Sequence, residues 1–377
     1  MMSISFIVTT YNIRRYVTRC LESVAQVARP GDQVILIDDG SDDGTLERVR
    51  EFESGGHFAS GVEFRPIYLG TNTMGGVGIG ANIGLDEAGC DTVFFVDGDD
   101  WIDPAGFARA RAHWAFHPTD ILFTNYLEYD EKADRARHPA DAQRWSAIDN
   151  ALPLDQLRAH GLGLIAVPWR KFYRRAFLAE HGLRFPEGDY FFEDNPFHWA
   201  VCRRAASIGF VNTVSCHHRI NRPGQTMAST GAELAAFFTH FGTILNDLDP
   251  GDRANRIAAT RWLLNNMTWH MPRLAPSARH PYAIAGWRAL RMVPDDIWQE
   301  LGVSEGAKSI WPVADRLRRG DVDGQLLQWQ NASLEAMLAD LGRRLARLEG
   351  QSAEGTRLSR GLAAASAFES ILALRRS

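Results

Sequence analysis

A chain of 377 residues, 45% hydrophobic and 23% charged, is long enough to bury a large core and to divide into two domains. Its formal net charge of −5 supplies no overall basic field, which argues against duplex nucleic acid as a partner. No window reaches the unbroken apolar length that spans a bilayer, the first residues lack a leader pattern, and Cys20, Cys90, Cys202 and Cys216 have no CxxC spacing, so a reduced, cytoplasmic protein with at most peripheral membrane contact is expected.

Residues 3–8 form a β-rich run, and Val17, Cys20, Leu21, Val24 and Val27 then share one helical face. Pro30-Gly31 breaks the chain before a second apolar strand, 33–37, which ends in Asp38-Asp39-Gly40-Ser41-Asp42. Asp42 or Asp43 is placed to cap a helix over 45–52, a third strand is expected over 62–67, and a glycine-rich turn precedes a helix reaching residue 88. The fourth strand, 92–96, stops abruptly in Asp97-Gly98-Asp99-Asp100. Strands alternating with helices at this spacing predict a parallel α/β sheet, to which 121–126 adds another strand.

Acids at the carboxyl end of a parallel strand point into the usual ligand crevice. Three carboxylates in four residues repel one another unless a hard cation or hydrogen-bond donors neutralise them. Two readings follow for Asp97 to Asp100: a divalent cation held against a diphosphate, or a polar turn.

Residues 128–151 are charged and proline-bearing, which suits an excursive surface connection. A helix is expected near 154–160 and a last strand over 208–216; after Gly231 the pattern is almost wholly helical. Leu334, Leu338, Leu341, Leu345 and Leu348 recur at spacings of four and three. The leading reading is an amphipathic helix packed on its own domain. The alternatives are a homodimer seam through these helices and, through Arg343, Arg344 and Arg347, contact with anionic lipid.

Four ordered segments, Ile7-Val8-Thr9-Thr10-Tyr11-Asn12, Ile37 to Thr45, Asn82 to Ala88 and Phe95 to Trp101, together resemble the family 2 glycosyltransferases of the GT-A fold. The likeness continues through Pro168 to Tyr173, Phe192 to Phe197 and Arg219 to Gly224. It implies a GT-A fold, a Rossmann-like mixed sheet flanked by helices, over residues 1–230, followed by a helical region over 231–377. It also implies inverting transfer of a sugar from a nucleotide diphosphate donor, with UDP preferred, to a hydroxyl of a glycan or lipid-linked acceptor in surface polysaccharide synthesis.

On this resemblance, Thr10 and Tyr11 line the base, Asp39 reads its edge, and Asp38 has a ribose or structural role. Asp97 lies near the ribose, and Asp99 holds Mn²⁺ or Mg²⁺, with Asp97 and His218 as further candidate ligands. For His218, beside His217, the commoner reading is a hydrogen-bonded structural pair. Asp194 matches the catalytic base and Glu193 is its competitor; without the family, Asp194 reads as a helix N-cap. Arg219 and Arg222 resemble basic residues after the last strand that close on the diphosphate, and Lys171 contacts donor or acceptor unless it forms a surface salt bridge.

The sequence departs from the family pattern at Ala81, where a basic residue is usual, and at Arg170, where Asn is usual. The first removes one donor contact and the second alters the acceptor or sugar pocket. Gly76 to Ala81 does not fit a dinucleotide fingerprint. A sugar nucleotidyltransferase, which would need a glycine-rich loop after the first strand, and a non-catalytic sugar-binding scaffold are the rival functions.

Overall fold

The computed structural model describes residues 2–188, 191–222 and 230–374, with side chains of the last helix described through residue 348 and over 361–366. The first half alternates strictly: β1 (Ile4–Thr10), α1 (Val17–Val27), β2 (Gln33–Asp38), α2 (Thr45–Ser54), β3 (Glu63–Tyr68), α3 (Gly78–Glu87) and β4 (Thr92–Asp97). After β5 (Trp101–Ile102) and α4 (Pro104–Phe116) come β6 (Ile121–Asp130), β7 (Arg135–Arg137), α5 (Leu154–Gly163), β8 (Lys171–Arg174), α6 (Arg175–Glu180), α7 (Asp194–Arg204) and β9 (Ile208–Ile220). Among the described residues these strands form one sheet, ordered β3-β2-β1-β4-β8-β6-β9-β5, with β7 paired to β6.

The sheet is mixed, not wholly parallel. β3, β2, β1 and β4 run parallel, β8 runs antiparallel to both β4 and β6, β9 is parallel to β6, and β5 is antiparallel to β9. Pro66 lies in β3, the edge strand, where an absent N–H costs no internal ladder bond. β2 is buried along its whole length, as its unbroken Val34 to Ile37 run requires between two helical layers. On one face Phe6, Val8 and Phe94 pack with α1, α2 and α4 through Leu21, Val49 and Phe107. On the other, Ile7, Ile37 and Phe95 pack with α3, α5 and α7 through Ala81, Leu157 and Val201.

The connection over 128–151 does more than travel over the surface. It pairs β7 with β6 and buries Trp145 in the second of these layers, because an indole in an otherwise charged stretch gains more from the core than from water. The helical half comprises α8 (Ala236–Asp247), α9 (Arg253–His270), α10 (Arg279–Leu290), α11 (Asp295–Glu305), α12 (Trp311–Arg318) and α13 (Val322–Leu374). Its apolar cluster reaches back to Trp199 of α7 and Phe192 just before it. Among the described residues no helix is long and apolar enough to cross a membrane.

Candidate active site

Register brings the strand ends together. Thr10 is level with Asp38, and Thr9 with Asp97, so three parallel strands deliver their last residues to one edge. At that edge Asp38 is fully buried and engaged. Thr10 Oγ1 donates to its Oδ2 at 2.8 Å, Ser41 Oγ to the same oxygen at 2.7 Å, and Ser41 N to Oδ1 at 2.8 Å. The sequence left Asp38 between a ribose and a structural role; its geometry is structural, and it consumes the Thr10 hydroxyl as well. Tyr11, 47% exposed, is the group at this strand end that remains open to a ligand.

Asp39 faces the loop after β3. Thr73 N and Oγ1 donate to its two oxygens at 2.8 and 3.0 Å, and Asn72 Nδ2 approaches at 3.3 Å. Burial raises its carboxyl above the usual range, the Thr73 bonds oppose that, and Asp38 adds to it. The loop can approach this closely because Gly40 has φ +73° and no side chain; a Cβ there would collide with the Thr71 and Asn72 backbone. The cap position of α2 is Gly44 and not Asp42 or Asp43, although Asp43 Oδ1 accepts from Thr45 N, the first residue of the helix, at 2.9 Å.

Asp97, Asp99 and Asp100 offer carboxylate oxygens within 4.8 Å of one another. Burial, then Asp100 and Asp99, push the Asp97 carboxyl well above its ordinary range, with His218 opposing. Asp100 is no helix cap, since Asp103 caps α4 by accepting from Gly106 N at 2.7 Å. Instead Asp100 accepts from Arg219 N at 2.7 Å and lies 2.9 Å from His218 Nδ1. Burial disfavours the charged imidazole, but Asp100, aided by Asp99 and Asp97, outweighs it and raises His218 to about 9. His218 thus stands behind Asp100, stacked on Trp169 at 5.0 Å, and the three aspartates are the residues grouped as a cation cradle. His217 stacks on Trp101 at 4.8 Å.

β9 runs to Ile220, so Arg219 lies within the last strand and only Arg222 follows it. The Arg219 Nε donates to Asp99 O at 2.9 Å, and its guanidinium lies over Tyr16 and Trp101 at 4.6 and 5.0 Å. Arg222 Nε is paired directly with Asp99 Oδ2. Both cations therefore sit on the acidic cluster. Pro223 and Gly224, also part of the family likeness, lie outside the described residues.

The opposite wall is the turn into α7, whose preceding Asp189 and Tyr190 lie outside the described residues. Glu193 is buried, and its Oε1 accepts from Gly78 N, the first residue of α3, at 2.7 Å. A Cβ at Gly76 would lie 2.5 Å from a Glu193 carboxylate oxygen, and one at Gly78 would press on the Glu193 Cγ at 3.0 Å, so the carboxylate approaches this turn across glycine. Burial raises Glu193 and the Gly78 and Val77 bonds lower it. Asp194 is the first residue of α7 and not its cap. Its carboxyl is surrounded by protein although the residue keeps some exposure, and it bonds Asn195 Nδ2 at 2.9 Å. Burial and the Glu193 charge raise it to about 7, against Lys171 and nearby backbone N–H groups.

Phe192 holds φ +66°, unusual for an aromatic residue, and packs on Phe237 of α8 at 4.7 Å between ring centroids. His240 Nε2, also in α8, lies 2.7 Å from Phe191 O. The helical half thus braces this turn from one side while α3 holds it from the other.

Lys171 and Arg170 are corrections. Both are fully buried in the structure, so neither a surface salt bridge for Lys171 nor a pocket-lining guanidinium at 170 survives. Lys171 Nζ donates to Val167 O at 2.8 Å, and burial lowers its amine to about 7, opposed by Cys202 and Asp194. Arg170 pairs with Asp141 at 2.5 Å and donates from Nε to Thr124 O at 3.0 Å, which anchors the 128–151 connection to the sheet. Ala81 packs into the core.

Comparison with known proteins bears on these features. The profile of Glycosyl transferase family 2 matches residues 5–182. This stretch is similar to a family 2 glycosyltransferase domain. The chain is 27% identical over 207 residues to the uncharacterized glycosyltransferase EpsJ of Bacillus subtilis (strain 168), covering 54% of this chain and 57% of that one. It is also 27% identical over 240 residues to the poly(ribitol-phosphate) beta-N-acetylglucosaminyltransferase TarS of Staphylococcus aureus (strain Mu50), covering 63% of this chain and 39% of TarS. The chain thus spans less than two thirds of the length of either relative.

Among solved structures, residues 1–349 of S. aureus TarS in complex with UDP-GlcNAc superimpose with a TM-score of 0.67 at 21% identity, covering 88% of this chain and 92% of that one. The mannosyltransferase PcManGT from Pyrobaculum calidifontis, in complex with GDP-Man and Mn²⁺, gives 0.52 at 17%, covering 86% of each chain. The fold of the chain is GT-A with an added helical region.

Proposed function

We propose that this chain catalyses inverting transfer of a sugar from a nucleotide diphosphate donor, a UDP-sugar in first preference, to a hydroxyl of a glycan or lipid-linked acceptor. The observation that carries the proposal is the contrast at the turn into α7. Glu193 is committed to the amides of α3, whereas Asp194 holds a proton affinity near neutrality with no cation bonded to it. A carboxylate poised near the working pH is suited to general-base catalysis. Asp194 takes the acceptor hydroxyl proton as that oxygen attacks the anomeric carbon, and the nucleotide diphosphate leaves from the opposite face.

On the donor side, Tyr11 and Asp39 bind the base, and Asp39 does so by exchanging its Thr73 and Asn72 bonds for those of the ligand. Asp97, Asp99 and Asp100 would hold Mn²⁺ or Mg²⁺: their donors are all oxygens and lie within 4.8 Å of one another, which suits a hard cation. That cation, when bound, supplies Lewis-acid stabilisation of the departing diphosphate. Arg222 is placed to shift from Asp99 to phosphate oxygens, for which its fork is well matched. The UDP preference rests on the fold shared with TarS, which binds UDP-GlcNAc; the GDP-Man complex of the second neighbour makes GDP the alternative.

Residues 1–230 are read as the catalytic region and 231–377 as a helical region that steadies the base turn through Phe237 and His240. Action on the cytoplasmic side of a membrane, on an acceptor for surface polysaccharide, completes the proposal. Thermal unfolding against UDP-, GDP- and dTDP-sugars, each with Mn²⁺ and with EDTA, tests it, because a ligand bound to the native state raises the melting temperature. A metal-dependent rise with one nucleotide is expected. No rise with any of them would favour a scaffold that has lost turnover.

A further inference from the structure

The helix α13 extends for 53 residues, about 80 Å at the usual rise. Its first turns are anchored to the helical core: Val322 and Gln325 are buried, Leu326 and Trp329 pack on the same cluster, and Arg279 Nη1 donates to Trp329 O at 3.0 Å. Beyond these, the leucines expected to pack on the protein's own body do not. Leu327, Leu334, Leu338, Leu341, Leu345 and Leu348 are between 53% and 68% exposed.

We propose that this stripe is the seam of a parallel, two-stranded coiled coil with a second copy of the chain. Leu327, Leu334, Leu341 and Leu348 fall at intervals of seven and take the d positions. Asn331, Leu338 and Leu345 take the a positions. A single polar Asn among apolar a residues fixes register and copy number, because it is satisfied by its own counterpart only in an in-register parallel pair. In this frame Val322, Gln325, Leu326 and Trp329 occupy positions f, b, c and f. The face already held by the body is thus the outer face of the coil, and the seam points away from it, free to meet a partner without displacing any contact.

The same frame weighs against lipid as the occupant. Apart from Met337 at g, the exposed large apolar residues keep to the narrow a/d pair and not to the broad face that lies in a membrane interface. Arg343 and Arg344, two of the three cations a headgroup would use, are paired with Asp340 of their own helix at 3.4 and 2.7 Å.

Sedimentation equilibrium of the full chain at tens of micromolar tests the proposal. Twice the chain mass is expected for the wild type, and the single-chain mass for the Leu338→Glu/Leu345→Glu double variant, with an unchanged melting temperature showing that the exposed changes leave the fold intact. Orientation is read from Leu345→Cys. In a parallel pair the two thiols face each other and oxidation gives a covalent dimer, while the four native cysteines are buried. A monomeric wild type, a dimer indifferent to the double Glu change, or a dimer that Leu345→Cys fails to cross-link would each overturn it. So would a monomer that floats with phosphatidylserine vesicles and loses flotation in the double variant, which would assign the leucines to lipid.

Discussion

Glu193 and Asp194 are neighbours, yet the structure assigns them opposite effects on stability. Glu193→Ala removes a buried acceptor from Gly78 N at the start of α3. Hydrogen bonds to charged groups contribute about 1.5–3 kcal/mol, so a loss of roughly 2 kcal/mol is expected. In a protein of this size that lowers the melting temperature by roughly 2–3 °C. Asp194→Asn acts the other way. Its folded-state carboxyl is raised to about 7, so the native state binds a proton more tightly than the unfolded chain, and stability falls as pH rises through the window between the usual carboxylate range and about 7. Asn relieves that cost, and at pH 8 the variant should melt no lower than wild type. Its turnover should nonetheless fall by roughly two to four orders of magnitude, the scale of a lost general base, with donor affinity retained. Glu193→Gln, which keeps an acceptor, should recover much of the stability that Glu193→Ala loses. Scanning calorimetry and donor-consumption assays on the three variants decide the matter. If Asp194→Asn stays active while Glu193→Gln is dead and melts normally, the roles are reversed and the reasoning fails.

The pH dependence of turnover should show an ascending limb near 7 as Asp194 loses its proton. Because the Lys171 charge lowers the Asp194 value, Lys171→Met should move that limb to higher pH; an unmoved limb would separate the two groups electrostatically. Asp99→Asn should abolish the Mn²⁺-dependent part of nucleotide binding in titration calorimetry, and equal affinity with and without Mn²⁺ in both proteins would remove Asp99 from the cradle. Gly40→Ala meets the Thr71 backbone at a positive φ, and a loss of roughly 2–4 kcal/mol in denaturant unfolding is expected, with weakened nucleotide binding as the Asp39 loop shifts.

The first half of the fold was legible because its signals are local. β1, β2 and β4 are apolar runs ending in polar residues, and α1 buries the face its spacing predicts. The acid-rich strand ends also pointed to the crevice. What escaped the sequence depends on long-range pairing. The resemblance implied a mixed sheet but not which strands reverse; β8, β7 and β5 do, and no periodicity in Lys171 to Arg174 announces the direction of β8. Arg170 read as altering a pocket, and Lys171 as a donor or acceptor contact or a surface salt bridge, because burial of a charge is visible only with its partners, Asp141 in one case and the Val167 carbonyl in the other. Likewise, nothing in Asp100 or His218 alone reveals that they pair across 118 residues. The leucine spacing in α13 was plain, but whether the body covered it was a tertiary fact.

The loop between β3 and α3 is fastened at two points, by Thr73 to Asp39 and by Gly78 to Glu193. On the proposed assignment these fastenings belong to different halves of the chemistry: Asp39 serves the donor base, and Glu193 adjoins the proton acceptor. A nucleotide that takes Asp39 from Thr73 loosens the loop at its near end and leaves Glu193 as its remaining tether. On that assignment, the loop touches both the donor side and the base, and occupancy of one bears on the geometry of the other. An enzyme built this way has a physical reason to bind its substrates in sequence, donor before acceptor.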